Sequence, residues 1–528
     1  MAAGTAPPPA KISPRRSRAP LLAKIAFVLV LLAVACGAAF VRSPWWPFEQ
    51  KPVIQDLQEA ADSQVTVRSF RRTYFPSPGC ILEGVVFLHQ QGSAPLMTVE
   101  KLTIRGTYWG TLRRQVSIIQ AEGLHIFIPP FGSGQHFHSE RSTITVGEMV
   151  ADGATLEFAS RQPGTPPLRF DIREASLHDV GWNGPLTYRL KVHNPEPPGE
   201  VTTTGKFGLW NENDPAQTPI SGDYKFERAD LSVYQGISGL LSSAGKYDGN
   251  LSHINISGTT DTPDFEVKSG RHPVHLKTEF SAFVDAMHGD TFLKRVDAHF
   301  RNTHVVADGS IAGSASRKGK TALLRLNARN GRIEDLLGLF VKSDRPPMSG
   351  VVSLQAKVEI PSGPTPFLKK VKLDGIFGIG SGEFSKPSTQ EGVNQLSAGA
   401  LGEKSTDDPE TVLTDLTGGV TLENGIAHFV DLSFGIPGAH ARMHGTYGLI
   451  DEKIDLRGQM RVQTKISNTT SGPKALLLKI MDPFFKKKKK GEVLPVRISG
   501  TYDKPSFGLD LMDKNAQNPP RIIPPPTH

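Results

Sequence analysis

The chain has 528 residues, enough for several domains of ordinary size, and its 52 glycines and 41 prolines gather between short strand-like runs, as in an all-β chain with many turns. A net charge of +8 is modest for this length and partly local, since residues 486–490 are consecutive lysines; basic side chains interleaved with aromatics along one surface are absent, so nucleic acid is not expected as a partner. Cys36 lies in an apolar segment and Cys80 far from it in a turn-like context, which excludes a disulfide framework.

Residues 1–20 are rich in Ala and Pro, carry Lys11, Arg15, Arg16 and Arg18, and are expected to be a disordered cytoplasmic tail. Residues 21–41 are apolar except for Lys24, whose stem can snorkel. About 20 helical residues cross a hydrocarbon core of about 30 Å, so this segment is expected to be a transmembrane anchor helix. Only Arg42 and Lys51 follow it closely, which puts the bulk of the chain across the membrane from the basic tail. Trp45, Trp46 and Phe48 come next, where aromatic side chains sit in the headgroup layer. Ala33-Val34-Ala35 also suits a signal peptidase and, with Cys36, a weak lipoprotein box. Against both, the apolar run continues to Val41, whereas a cleaved signal ends its apolar region before the site.

A short helix is expected over 53–63, where Val53, Leu57, Ala60 and Ala61 share a helical spacing. Strands are expected at 64–70, 84–89, 97–105, 113–120, 123–128, 154–160, 168–172, 186–193, 201–209, 223–226, 251–256, 265–268, 274–284 and 321–328, with tight turns at 76–79 and 106–110. Further helices are expected at 231–241, 332–340 and 474–485. Residues 398–411 read as a charged loop and 515–528 as a disordered Pro-rich tail.

Residues 418–511 show the plainest alternation. Ile454, Leu456, Gly458, Met460 and Val462 fall on one parity, and Asp455, Arg457, Gln459, Arg461 and Gln463 on the other. The same split runs through Ala439, Ala441 and Met443, through Val496, Ile498 and Gly500, and through Phe507, Leu509 and Leu511. This is a meander of half-buried antiparallel strands. A glycine, any residue, an aromatic, then Gly or Asp recurs at 205–208, 245–248, 375–378, 445–448 and 500–503, at spacings too irregular for a solenoid of fixed period. The reading is one long sheet with repeated hairpin chemistry. So few helices cannot cover its apolar face, so the sheet either packs on itself or stays open as a trough.

Four stretches carry a resemblance: Asn327-Ala328-Arg329-Asn330-Gly331-Arg332-Ile333-Glu334-Asp335-Leu336-Leu337, Pro346-Pro347-Met348-Ser349-Gly350, Leu373-Asp374-Gly375-Ile376-Phe377, and Leu494-Pro495-Val496-Arg497-Ile498-Ser499-Gly500-Thr501. With the anchor before a strand-rich body, the chain resembles the AsmA-like proteins of Gram-negative envelopes, relatives of TamB. The match is clearest over 320–512 and consistent from about 50 to 320. The resemblance implies an inner-membrane anchor, a periplasmic and strongly curved open β-groove with an apolar interior, and a part in phospholipid transport or envelope lipid homeostasis. It divides the chain into a tail (1–20), anchor (21–41), N-terminal β-groove region (42–319), AsmA-like C-terminal β domain (320–512) and second tail (513–528).

On this reading acyl chains, each CH₂ of which costs about 0.8 kcal/mol to expose to water, lie against Ile454, Leu456, Met460, Val462, Val496, Ile498, Phe507 and Leu509. The plain alternative is that these residues are ordinary sandwich core. In 474–490 an apolar side (Leu476, Leu477, Ile480, Phe484, Phe485) precedes the lysines, which suggests an interfacial helix beside anionic lipid. A cap on the sheet or a solvated lysine loop would read the same way. The membrane-surface candidates are therefore Trp45, Trp46, Phe484, Phe485, Lys486 and Lys488. His136, His138 and Glu140 sit in a Pro- and Gly-rich loop without a further ligand at useful spacing, and no zinc-protease, phosphate-cradle or nucleophile-elbow motif occurs. No enzyme, metal or cofactor is expected. The expected partners are phospholipids and the inner membrane. The alternative function is a scaffold for outer-membrane protein assembly, which would bind through the terminal strand edge.

Overall fold

The structure is a computed structural model that describes residues 19–42, 46, 48–61, 63–88, 95–111, 113, 115–128, 145–158, 167–180, 184–209, 211, 214–286, 289–314, 317–342, 345–385, 393, 413–462, 493–501 and 504–509. Strands dominate: β1 Gln64–Thr66, β2 Ser69–Thr73, β3 Gly79–Leu88, β4 Pro95–Gly106, β5 Gln115–Ile128, β6 Thr145–Phe158, β7 Leu168–Val180, β8 Leu186–Pro195, β9 Pro198–Phe207, β10 Pro219–Asp230, β11 Ile237–Ser238, β12 Leu240–Asn250 and β13 His253–Val267. They continue as β14 Val274–Asp285, β15 Asp290–Phe300, β16 Thr303–Ser314, β17 Arg317–Arg332, β18 Met348–Ile360, β19 Lys372–Phe384, β20 Thr414–Glu423, β21 Ile426–Ile436, β22 Ala439–Gly448, β23 Lys453–Val462, β24 Val493–Thr501 and β25 Lys504–Leu509. The helices are α1 Ala19–Arg42, α2 Gln50–Ala61 and α4 Ile333–Phe340, with single turns α3 Tyr108–Thr111 and α5 Phe367–Lys370.

From β3 onward each strand pairs with the next, apart from the two-residue β11, which sits beside β13. The result is one long, curved sheet that does not close on itself. Every pairing is antiparallel except β5 with β6. The ladder runs through residue 320 inside β17 without a break. Stacked at about 4.8 Å per strand, the ribbon is on the order of 100 Å along its curve.

Curvature has a visible source. Register shifts fall at Arg228, Asn330 and Asp431, which carry φ of 54°, 55° and 49°. An extra residue on one strand of a pair bends that strand and increases its twist.

Several expectations are corrected. Residues 231–241 are not a helix: one 3-10 turn, Leu231–Val233, leads into β11 and β12. Gly236 and Gly239, at φ 100° and 134°, break the helical spacing of the leucines. The expected pair 113–120 and 123–128 is one strand, kinked at Gly123 (φ 63°), and 251–256 with 265–268 is likewise the single strand β13. Strands β12, β15, β16, β18 and β19, and the two-residue β11, have no counterpart among the expected strands. The turn at 106–110 contains α3.

Among the described residues no helix is long and apolar enough to cross a membrane; within α1 the side chains of 19–26, 33, 38 and 41 lie outside that description. Trp45, Phe484, Phe485, Lys486 and Lys488, the loop at 136–140, the helix expected at 474–485, and the segments 398–411 and 515–528 also lie outside the described residues.

Candidate functional site, an apolar groove

Residues paired across a ladder point to the same face of the sheet, so pairing can be followed from strand to strand. One row begins at Leu82 and passes through Leu102, Ala121, Ala151, Ala175, Leu190, Thr203, Tyr224, Gly245, Gly258 and Phe280. It continues through Val296, Ala307, Leu326, Ala356, Gly375, Val420, Phe429, Gly445, Leu456 and Ile498 to Phe507. No charged residue interrupts it. The adjacent row begins Glu83, Lys101, Glu122, Asp152, Glu174, Lys191 and faces the other way. The first row is therefore free of charge along the whole ribbon, and apolar except at Thr203 and Tyr224.

That face is filled differently along its length. At the N-terminal end α2 lies across it and leaves a cavity of about 1130 Å³, with Val53, Leu57 and Ala61 on one side and Phe87, Val99, Ile119, Met149, Ile172 and Leu190 on the other. Pockets for small molecules are typically about 300–1,000 Å³, so this one is roomy. It spans β3 to β9, about 29 Å at 4.8 Å per strand, roughly twice the half-thickness of a hydrocarbon core.

Beyond the cavity the lining turns polar for a few strands. Tyr188 and Tyr247 share a hydroxyl bond of 2.5 Å, and Tyr247 lies 2.6 Å from Thr203 Oγ1. Thr203 donates to the Asp223 carbonyl, so the chain of donors runs Tyr188, Tyr247, Thr203, Asp223. Tyr224 bonds Ser243 Oγ at 3.0 Å. Burial pushes the phenols of Tyr188 and Tyr224 well above the usual range, which keeps both neutral. These rings lie over glycines: a Cβ on Gly205 would come within 2.7 Å of the Tyr188 hydroxyl, and one on Gly222 within 2.6 Å of that of Tyr247. At Gly205, Gly222 and Gly245 a neighbouring strand's ring thus occupies the space that the glycine leaves.

Midway, the groove is crossed. The loop 361–371 leaves β18 and enters β19 on one rim, yet its Phe367 packs against Val267, Val274, Phe300 and Leu339 at the opposite rim. There the Gln235 side chain faces the carbonyls of Thr365 and Pro364, and with its amide nitrogen turned toward them it donates to both at 3.1 Å. Helix α4 supports this strap: Leu336 touches both that cluster and the C-terminal one. Asp335, 4% exposed, accepts from Asn302 N at 3.0 Å and Thr303 Oγ1 at 2.8 Å. Glu334 accepts from Gly350 N and Arg332 Nε. Burial raises the Glu334 carboxyl, but those two bonds and its own backbone N–H outweigh it, so its pKa is lowered.

Of the sequence-named lining residues, Ile454, Leu456, Val496, Ile498 and Phe507 share the apolar face and are half-buried. Met460 and Val462 share it too but are each 2% exposed, packed with Leu494, Ile436 and Ala439 in a closed core. They are not open to a guest in this structure. The backbone of Leu509 pairs with Val496, and its side chain is undescribed. Trp46 is also buried, 2% exposed, in the core that includes Phe48, Val53, Val65 and Cys80, because Phe40, Phe48 and Tyr74 ring it at about 6 Å. The most exposed aromatics at that end are Phe75, just before the expected turn at 76–79, and Trp109, within the expected turn at 106–110. The cavity escaped the sequence reading as well, since its lining is assembled from seven strands and a helix. Among the described residues no group of three or more His, Cys, Asp or Glu side chains could hold a metal. No family model matches this chain, and neither does any curated protein or solved structure.

Proposed function

We propose that this chain is a membrane-anchored β-groove that shelters lipid acyl chains in phospholipid transport or envelope lipid homeostasis. The observation that carries the reading is the row without a charged residue from Leu82 to Phe507, apolar except at Thr203 and Tyr224, with its cavity at the N-terminal end. At about 0.8 kcal/mol per CH₂, a two-chain lipid faces a penalty on the order of 20 kcal/mol in water, and an apolar lining removes most of it without chemistry. The anchor assignment rests on the sequence of α1, and placement in the inner membrane with a periplasmic body rests on the resemblance to AsmA-like proteins. The reading is non-enzymatic on the ground of the sequence, in which no zinc-protease, phosphate-cradle or nucleophile-elbow motif occurs.

Photo-crosslinking residues at Leu190, Val296 and Leu326 are expected to yield lipid adducts in membranes, and the outward neighbours Lys191, Asp297 and Asn327 are not. A residue at Met460 should yield none, because its side chain is enclosed. Equal labelling of the two faces, or none on either, would remove the groove reading. The assembly-scaffold alternative draws on β25, which pairs with β24 alone among the described strands. Capture of an outer-membrane assembly protein that depends on Phe507 would favour it.

A further inference from the structure

The two most exposed large apolar side chains among the described residues are Phe75, 88% exposed, and Trp109, 80%. They lie close together. Phe75 is in the β2–β3 turn and Trp109 in α3, between β4 and β5. The Tyr108 hydroxyl donates to the Tyr74 carbonyl at 2.5 Å, and Gly106 N to the Pro78 carbonyl at 2.8 Å, so the two loops are tied side by side. Tyr74 also packs at a tilt against Trp46, ring centroids 6.0 Å apart, and Trp46 meets Phe40 in the last turn of α1 edge-on at 5.9 Å. An exposed aromatic pair thus stands beside the foot of the apolar helix. The surrounding charge is predominantly positive: 63–82 and 101–121 contain no Asp or Glu, and Arg71, Arg72, Arg105 and Arg113 are exposed. Arg72 also pairs with Glu49, just before α2. The cavity reaches the same rim at Gln115, Val116, Leu186 and Leu209.

We propose that this collar seats in the headgroup layer of the bilayer that α1 enters. Phe75 and Trp109 are immersed at the interface and the arginines face anionic lipid, so the cavity mouth is held against the membrane surface. Amphipathic rings favour that layer, and cations are drawn to its anionic face. A protein partner would have no need of a predominantly basic surround or of continuity with the anchor. The proposal rests on the anchor reading above.

The test uses the full chain in vesicles of phosphatidylcholine and phosphatidylglycerol, with Cys36 replaced by Ser and an environment-sensitive probe on Phe75→Cys, Trp109→Cys or, as control, the exposed Asp374→Cys. Nitroxide on the lipid headgroups is expected to quench the first two probes several-fold more than the control. Adding Arg71→Gln, Arg105→Gln and Arg113→Gln should reduce that quenching in the anionic vesicles and leave it unchanged in phosphatidylcholine alone. If the chain floats with the vesicles while all three probes quench alike, the collar proposal falls and the anchor stands. If the chain does not float with vesicles, both fall. Unchanged thermal unfolding of each variant keeps misfolding out of the comparison.

Discussion

Asp335 ties α4 to the turn between β15 and β16 through one carboxylate oxygen that takes two donors, Asn302 N and Thr303 Oγ1. Hydrogen bonds to a charged group contribute more than neutral ones, and the stranded partners would stay buried. Asp335→Ala should therefore weaken α4 docking by about 2–3 kcal/mol, read as on the order of a hundredfold faster exchange of the Val341 amide, which bonds Leu337 O. Its neighbour Glu334 has a lowered pKa in the folded chain. Such a carboxyl contributes stability above its unfolded value, about 4.3, and that contribution disappears as pH falls through the folded value. The thermal midpoints of the wild type and Glu334→Gln should accordingly differ at neutral pH and converge below about pH 4. A constant gap at every pH would place the stabilisation elsewhere.

At the scale of elements, the strap at 361–371 is the least secure closure in the ribbon. Full burial of a phenylalanine contributes about 1.5–3 kcal/mol, and Phe367 is only half-buried, so opening costs little. Gly236 (φ 100°) meets its ring, and a Cβ there would overlap it. Gly236→Ala should displace the strap and speed exchange of the Lys370 and Val371 amides, which bond Pro366 O and Phe367 O. Exchange in β14 and β15 should not change. Legibility also varies element by element. β22, β23 and β24 could be read in advance because charged residues alternate with apolar ones, Arg457 beside Leu456 and Arg461 beside Met460. Residues 231–241 misled because Leu231, Ile237 and Leu241 mimic a helical stripe. Their glycines take a left-handed backbone that a spacing rule does not register.

For the whole molecule, a single apolar face was legible and its contents were not. Parity tells which side of a strand is oily. It does not tell that Met460 ends in a closed core while Leu190, on the same face, borders open space, because that depends on what lies across the groove. The cavity exists because α2 spans the first strands without filling them. The hydroxyl belt, too, becomes visible only when Tyr188, Thr203 and Tyr247, from three separate strands, are brought together.

The strap has a further consequence for the reading proposed above. A trough pinched near its middle behaves as two compartments in series, the roomier one on the N-terminal side, not as one continuous pipe. Throughput would then depend on how often the pinch relaxes, so adding or deleting strands on either side would alter storage capacity and leave the delivery rate almost untouched.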